Sequence, residues 1–388
     1  MTESPLHDLE VYCDGLGEGG AEFLLLDLLP ALRSRFRSVE VIALRGPSGL
    51  EERFRAIAPV TRVTMVGMFR RLWSGRAVAH VSLARPQAIA SLVVVLRRLL
   101  RTAPRARIVC HEQASFQYYT GRSGRQRLAD GLFRRLVTYC VRHRLYGYIV
   151  TTRARRAELR ALLGDAGDIV VIPNSVAATR MARLAASRAN RTPSASGETR
   201  FFTLSRLHPV KQLHWAVDAV AAMARRYPER RFVLSVCGRG SELPVLERHA
   251  AASADAANLR IEFPGFVESL EARARESDFF LFPSKAEGFP VGLTEAALTG
   301  ITAIATDCPH GPADLAEFFS NVHLASPPTY EQFARTVEQV ALAAWGDDAA
   351  PDGAAPRAGW PPAEETAARI ADFLEGLPPI GSPTRPTR

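Results

Sequence analysis

Three clusters in this chain hold groups able to act on an anion. The first, Ser205-Arg206-Leu207-His208-Pro209-Val210-Lys211, places two cations five residues apart, directly after an apolar run. On a strand-to-helix loop such a pair meets a diphosphate from two sides and stabilises it as a leaving group in a dry cleft. Lys211 is one of only two lysines in the 388 residues, the other being Lys285. A solvated loop carrying two ordinary charges is the competing account. The second cluster, Glu287-Gly-Phe-Pro-Val-Gly-Leu-Thr-Glu295, follows the run FFLFPS. Pro290 suits the first turn of a helix. The N–H groups of Val291, Gly292 and Leu293 then point out of the helix N-terminus toward an anion. Carboxylates beside an anion are out of place unless they grip hydroxyls, so Glu287 and Glu295 are expected to hold a sugar or a ribose. The alternative is two exposed surface glutamates.

The third cluster, Asp14-Gly-Leu-Gly-Glu-Gly-Gly20, fits the pattern G-x-G-x-x-G between an apolar run and a helical one. Three readings stand: a nicotinamide cofactor site, a phosphate-facing loop of another kind, and a tight turn with no ligand. The first wants an acid at the end of the second strand, where the chain has Ala43-Leu44-Arg45. His111 ends an apolar run and serves either as a contact to substrate or as a satisfied histidine at a strand end. His310, between Pro309 and Gly311, is open in the same way. His80, His143, His214 and His249 are expected to be structural or solvent-facing. Cysteines at 13, 110, 140, 237 and 308 form no CxxC, which fits a reducing cytosol rather than a disulfide framework or zinc site.

Strands and helices in alternation must position these groups. Glu10–Cys13, Val39–Leu44, Ala77–Leu83, Arg107–His111, Tyr148–Thr151 and Ile169–Ile172 read as strands separated by helical runs. That pattern implies a doubly wound parallel sheet. Residues 177–199 lose the strand signal and end in Ser, Pro, Gly and Thr, as a linker does. The pattern restarts with strands at Phe201–Leu204, Arg231–Cys237, Ile261–Phe263, Phe279–Phe282 and Thr302–Thr306. The architecture expected is therefore α/β: two Rossmann-like domains, 1–176 and 200–345, facing across a cleft. A proline-rich tail, 346–388, follows with one helix near Pro362–Leu377.

Charge is spread unevenly. The chain carries +9 overall, yet residues 60–160 hold 21 arginines against Glu112, Asp130 and Glu158. So basic a block points to an anionic partner. Arg97, Arg98 and Arg101 stand beside Leu96, Leu99 and Leu100. A helix over Gly124–Leu145 mixes Arg127, Arg134, Arg135, Arg142 and Arg144 with Leu128, Leu132, Leu136, Tyr139 and Leu145. Cationic amphipathic helices lie on anionic lipid; core helices with solvated arginine faces are the other account. The same block would suit nucleic acid, but no recognition motif accompanies it. No apolar run reaches the length of a membrane span. MTESPLHDLE lacks the basic and apolar regions of a secretory signal.

Taken together, the residues Gly19-Gly20-Ala21-Glu22, His111-Glu112, Ile172-Pro173-Asn174-Ser175, Ser205-Arg206-Leu207 with Lys211, Gly238-x-Gly240, Glu287-x7-Glu295 and Asp307-Cys-Pro-His-Gly-Pro312 make the chain resemble a family 4 glycosyltransferase of the GT-B architecture, from about Tyr12 to about Val340. The resemblance implies transfer of a sugar, with retention, from a nucleotide-sugar donor to a hydroxyl of a glycan or lipid-linked acceptor, without metal or cofactor. It implies that Arg206 and Lys211 hold the diphosphate, Glu295 the ribose and Glu287 the transferred sugar. The amides of Val291 and Gly292 would face the phosphates, and Gly19 and Gly20 would close the donor site. His111 would stand near sugar and acceptor, Gly238 beside the nucleotide, and Phe266 and Val267 along the base. Ser241-Glu242-Leu243 after Gly240, Ser175, Pro290 and Asp314 depart from the family's common pattern. A non-hydrolysing sugar-nucleotide epimerase shares the two-domain plan and is the enzymatic alternative.

Overall fold

The computed structural model describes residues 7–17, 20–44, 49–75, 77–102, 107–112, 124–164, 168–187, 197–253, 255–267, 270–345 and 360–377, with backbone only at 124–130. The chain divides into two compact units, Met1–Ala178 with Pro361–Arg388, and Thr179–Trp360.

In the first unit the elements run β1 (Asp8–Cys13), α1 (Gly20–Arg33), β2 (Ser38–Ala43), α2 (Glu51–Arg55), β3 (Val60–Arg62), α3 (Met65–Ser74), β4 (Val78–Ser82), α4 (Ala84–Leu99), β5 (Ile108–Glu112), α5 (Gly124–Arg142), β6 (Gly147–Val150), α6 (Arg153–Leu163) and β7 (Ile169–Val171). The strands form one sheet, every pair parallel, in the order β3-β2-β1-β4-β5-β6-β7. Central strands such as VAHVS and IVCHE are buried along their whole length, because helices cover both faces of a parallel sheet. One face packs on Leu25, Leu28, Leu29 and Leu32 of α1. The other packs on Met68 and Leu72 of α3, Val93 and Val94 of α4, and Val137 and Val141 of α5.

The second unit opens with α7 (Ala178–Ser187), whose first residue closes the first unit. It continues through β8 (Glu198–Leu204), a 3-10 turn at Pro209–Lys211, α8 (Leu213–Arg226), β9 (Arg231–Cys237), α9 (Leu243–Ser253), β10 (Leu259–Gly265), α10 (Leu270–Glu276), β11 (Phe279–Phe282), α11 (Val291–Thr299), β12 (Thr302–Thr306), α12 (Pro312–Phe318), β13 (Val322–Ala325) and α13 (Tyr330–Trp345). Its sheet is again parallel, in the order β10-β9-β8-β11-β12-β13. Both sheets reverse their winding next to their first strand, between β1 and β4 and between β8 and β11. Open α/β sheets bind ligands at that reversal, beyond the carboxyl ends of the strands.

Two segments differ from the expectation drawn from composition. The stretch expected to be a linker contains α7, which buries Leu184 and Ser187. The helix in the proline-rich tail, α14 (Ala363–Gly376), is part of the first unit and packs Ala367, Ile370, Ala371 and Leu374 into the α1 side of its core. Those apolar residues recur three and four apart, a helical stripe that agrees with the helix expected near Pro362–Leu377; what composition did not show is the core it joins. Among the described residues no helix is long and apolar enough to cross a membrane.

Candidate functional site

The loops that leave the carboxyl ends of β8, β9, β10 and β11 carry the residues singled out in the second unit. After β8 the chain runs Ser205–Gln212. Pro209 fixes its own φ and opens the 3-10 turn, His208 Nδ1 accepts from the Val210 N–H, and Gln212 takes a left-handed conformation to start α8. The Lys285 N–H donates to the Val210 carbonyl at 2.8 Å, which ties this loop to the one after β11. Gly238 and Gly240 lie against the same loop. Gly238 has φ +137°, and a Cβ there would stand 1.8 Å from the Ser205 carbonyl oxygen; at Gly240 it would stand 2.1 Å from that of Leu207. Only glycine permits so close an approach.

Lys211 and Glu287, far apart in sequence, meet here. Lys211 Nζ donates to Glu287 Oε1 at 2.6 Å, and both side chains are largely shielded, 12% and 5% exposed. The Lys211 ammonium also lies 5.3 Å from the centre of the Phe282 ring. A lysine so held keeps further N–H donors for an anion, and the buried carboxylate keeps lone pairs for hydroxyls. Burial, then the neighbouring Glu287 carboxylate, push the Cys308 thiol up to about 12, so Cys308 stays an uncharged neighbour. Arg206 is exposed on the same loop as Lys211.

Pro290 precedes α11 as its N-cap rather than entering its first turn. The Val291 N–H turns back to the Phe289 carbonyl at 3.0 Å. The amides left at the helix end are therefore those of Gly292 and Leu293, without that of Val291, which was expected among them. Gly311, φ +125°, would carry a Cβ 2.3 Å from Pro290 Cδ, so the loop after β12 braces this turn. Glu295, on the second turn, is buried and paired with Arg180 of α7. Nothing in the sequence marked Arg180; it lies in the segment read as a linker. Gly238 donates its N–H to the Gly265 carbonyl at 2.7 Å, which brings the β10 loop alongside. There Phe266 is 40% exposed, with the Arg239 guanidinium 5.4 Å from its ring centre, and Val267 is half-buried.

In the first unit the glycine loop leaves β1 at the sheet's reversal. Gly20 is exposed at the first position of α1; Gly19 lies outside the described residues. His111, at the end of β5, is fully buried, and its Nδ1 shares a hydrogen bond of 3.1 Å with His80 Nε2. Burial, then His80, pull the His111 pKa well below its ordinary 6.5, and burial pulls His80 to about 4. The pair is neutral at physiological pH. The next residue, Glu112, accepts from Arg155 Nε at 2.8 Å and from the Tyr148 hydroxyl at 2.7 Å, anchoring the strand end. On the basic helices Leu99 and Leu132 are 70% and 69% exposed, and Arg98, Arg101, Arg134, Arg135 and Arg142 are exposed as well. Arg97 departs from that pattern: it is buried, with its guanidinium 4.8 Å from the Trp73 ring centre. Among the described residues no three His, Cys, Asp or Glu side chains gather as a metal site.

Models of known families match both units. Residues 18–180 match Glycosyltransferase Family 4, and residues 198–342 match Glycosyl transferases group 1. The chain belongs to the GT-B glycosyltransferases. Solved structures share the fold. Anabaena HepE in complex with UDP is 16% identical, with a TM-score of 0.65 over 95% of each chain. The lipopolysaccharide outer core galactosyltransferase WaaB is 15% identical, with a TM-score of 0.62 over 86% of this chain and 90% of that one. Sucrose-phosphate synthase from Thermosynechococcus elongatus is 14% identical, with a TM-score of 0.63 over 96% and 95%. No curated protein matches this glycosyltransferase in sequence.

Proposed function

We propose that this glycosyltransferase is a retaining enzyme that moves a sugar from a UDP- or GDP-linked donor to a hydroxyl of a glycan or lipid-linked acceptor in cell-surface polysaccharide synthesis. The contact between Lys211 and Glu287 carries the reading. In a nucleotide-sugar the terminal phosphate adjoins the anomeric carbon, so a cation for the one and a carboxylate for the hydroxyls of the other belong side by side, as these two are at 2.6 Å. The bond from the anomeric carbon to the diphosphate oxygen breaks and its electron pair leaves with the diphosphate, while the acceptor hydroxyl oxygen bonds to that carbon and its proton passes to an oxygen of the departing diphosphate. Lys211, Arg206 and the open amides of α11 stabilise the charge that develops there. Glu295 accepts from the ribose hydroxyls, and Phe266 and Val267 flank the base beside Gly238. Neighbours of the same fold support a uridine nucleotide: HepE was solved with UDP, with UDP and glucose, and with UDP-glucose. WaaB acts on lipopolysaccharide core, a surface glycan.

A panel of nucleotide-sugars screened for thermal stabilisation identifies the donor, because a bound ligand raises the midpoint by mass action. With that donor, Lys211→Ala and Glu295→Ala are expected to abolish transfer while the fold survives. Full turnover by either variant overturns the assignment. The exposed leucines and arginines of α4 and α5 support peripheral attachment to the anionic inner face of the cytoplasmic membrane, where each basic residue near the surface contributes about 1 kcal/mol. Sedimentation with anionic but not with neutral liposomes is the expected result; equal or absent binding to both removes the membrane from the reading.

A further inference from the structure

We propose that Arg180 is a positioning residue for the donor's ribose, acting through Glu295. The proposal rests on the donor-site reading above and adds a residue to it. Glu295 is buried on α11, and its Oε1 accepts from a terminal guanidinium nitrogen of Arg180 on α7. A carboxylate in that setting costs desolvation unless a partner compensates it. A carboxylate offers about four acceptor positions. With Oε1 pinned by Arg180, its plane is fixed and Oε2 is turned in one direction, as two vicinal hydroxyls binding together require.

The pair is more than a means of docking α7. That helix is already held by Arg183, three residues on and so on the same face, whose Nε donates to the buried Glu271 of α10 at 2.8 Å. It also buries Leu184 and Ser187. These contacts set the rotation of α7, and that rotation delivers Arg180 to Glu295. Arg180 is itself only partly exposed, at 25%, so its reach is constrained rather than adopted by chance from solvent. The device thus has an anchor and a pointer on one helix, and the pointer acts on the carboxylate assigned to the ribose.

Selectivity for ribose is the readout that a merely structural role would leave unchanged. The full-length protein is titrated calorimetrically with UDP, GDP and ADP and with their 2′-deoxy forms. The wild type is expected to prefer one ribonucleotide over its deoxy form roughly 10- to 100-fold, the value of a hydroxyl bonded to a charged acceptor. Arg180→Gln should cut that preference to about twofold while the deoxy form binds within about twofold of its wild-type affinity, and Arg180→Lys should recover part of the loss. Glu295→Gln, which removes the charge that Arg180 meets, provides a second variant whose preference also falls. Adding Arg180→Gln to it should change nothing further, because the two act as one unit. An unchanged preference in Arg180→Gln, or equal weakening of both forms, overturns the proposal and leaves the donor site intact. Binding of none of the three nucleotides by the wild type overturns the donor reading itself.

Discussion

At Lys211 and Glu287, stability and chemistry pull on the same two side chains. Each neutralises the other within a largely buried contact, so removing only the cation strands a buried carboxylate. Lys211→Met is expected to lower stability by about 3 kcal/mol, whereas the double variant Lys211→Met with Glu287→Gln regains most of it. Neither should transfer sugar. Urea denaturation beside an activity assay separates the two effects, and a double variant as unstable as the single one would show that the pair does not carry the stability. His80 and His111 set a pH limit on the first unit. A histidine kept neutral in the fold but free to protonate when unfolded contributes stability above about pH 6.5 that is lost as pH falls toward the folded value. With His80 at about 4, roughly 2–3 kcal/mol should be lost between pH 7.5 and 4.5 from that residue alone. Denaturation midpoints against pH measure this, and His80→Asn should flatten the profile.

Helix α14 shows how one element imposes conditions on another. A Cβ on Gly147 of β6 would stand 2.5 Å from Leu377 Cδ1 and 2.9 Å from Phe373 Cε1. Gly147→Ala is therefore expected to cost about 1–3 kcal/mol by overpacking, and Leu374→Ala about 2–5 kcal/mol by the cavity it leaves. Both are measured by thermal or urea unfolding, and unchanged midpoints would mean that α14 does not bear on the sheet. Much of the fold was legible in the sequence. Arg231–Cys237, Phe279–Phe282 and Thr302–Thr306 are short, mostly apolar runs, and their strands begin and end where the runs do. The strand Val60–Arg62 is three residues long and makes no run. β13 is only four residues, one of them a histidine, and neither was read. In the site, the loops, the glycines and the paired glutamates announce themselves by spacing. The bonds Lys211–Glu287 and Arg180–Glu295 do not, because they join residues 76 and 115 positions apart, and such pairing depends on the order of strands in the sheet rather than on any local pattern. His111 was legible as a strand-end histidine, but its closure against His80 follows from neighbouring strands and has no signature in either segment.

Across the whole molecule the chain leaves its first unit at Ala178 and returns to it at Pro361. The second unit is thus one continuous segment with its own sheet and core, and residues 179–360 expressed alone are expected to unfold cooperatively. A broad, non-cooperative melt would show that the two units are not separable. The uneven charge has the same division, since the arginine-rich stretch 60–160 falls wholly within the first unit. The discontinuity also sets an order of events during synthesis. Leu25, Leu28, Leu29 and Leu32 of α1 share a core with Ile370, Ala371 and Leu374 as well as with the sheet, so while the ribosome makes the intervening 180 or so residues that greasy layer is only partly covered. The nascent N-terminal half must therefore wait, exposed to chaperones and to its own copies, until the last helix emerges, and any premature stop before α14 should yield aggregate rather than a shortened enzyme.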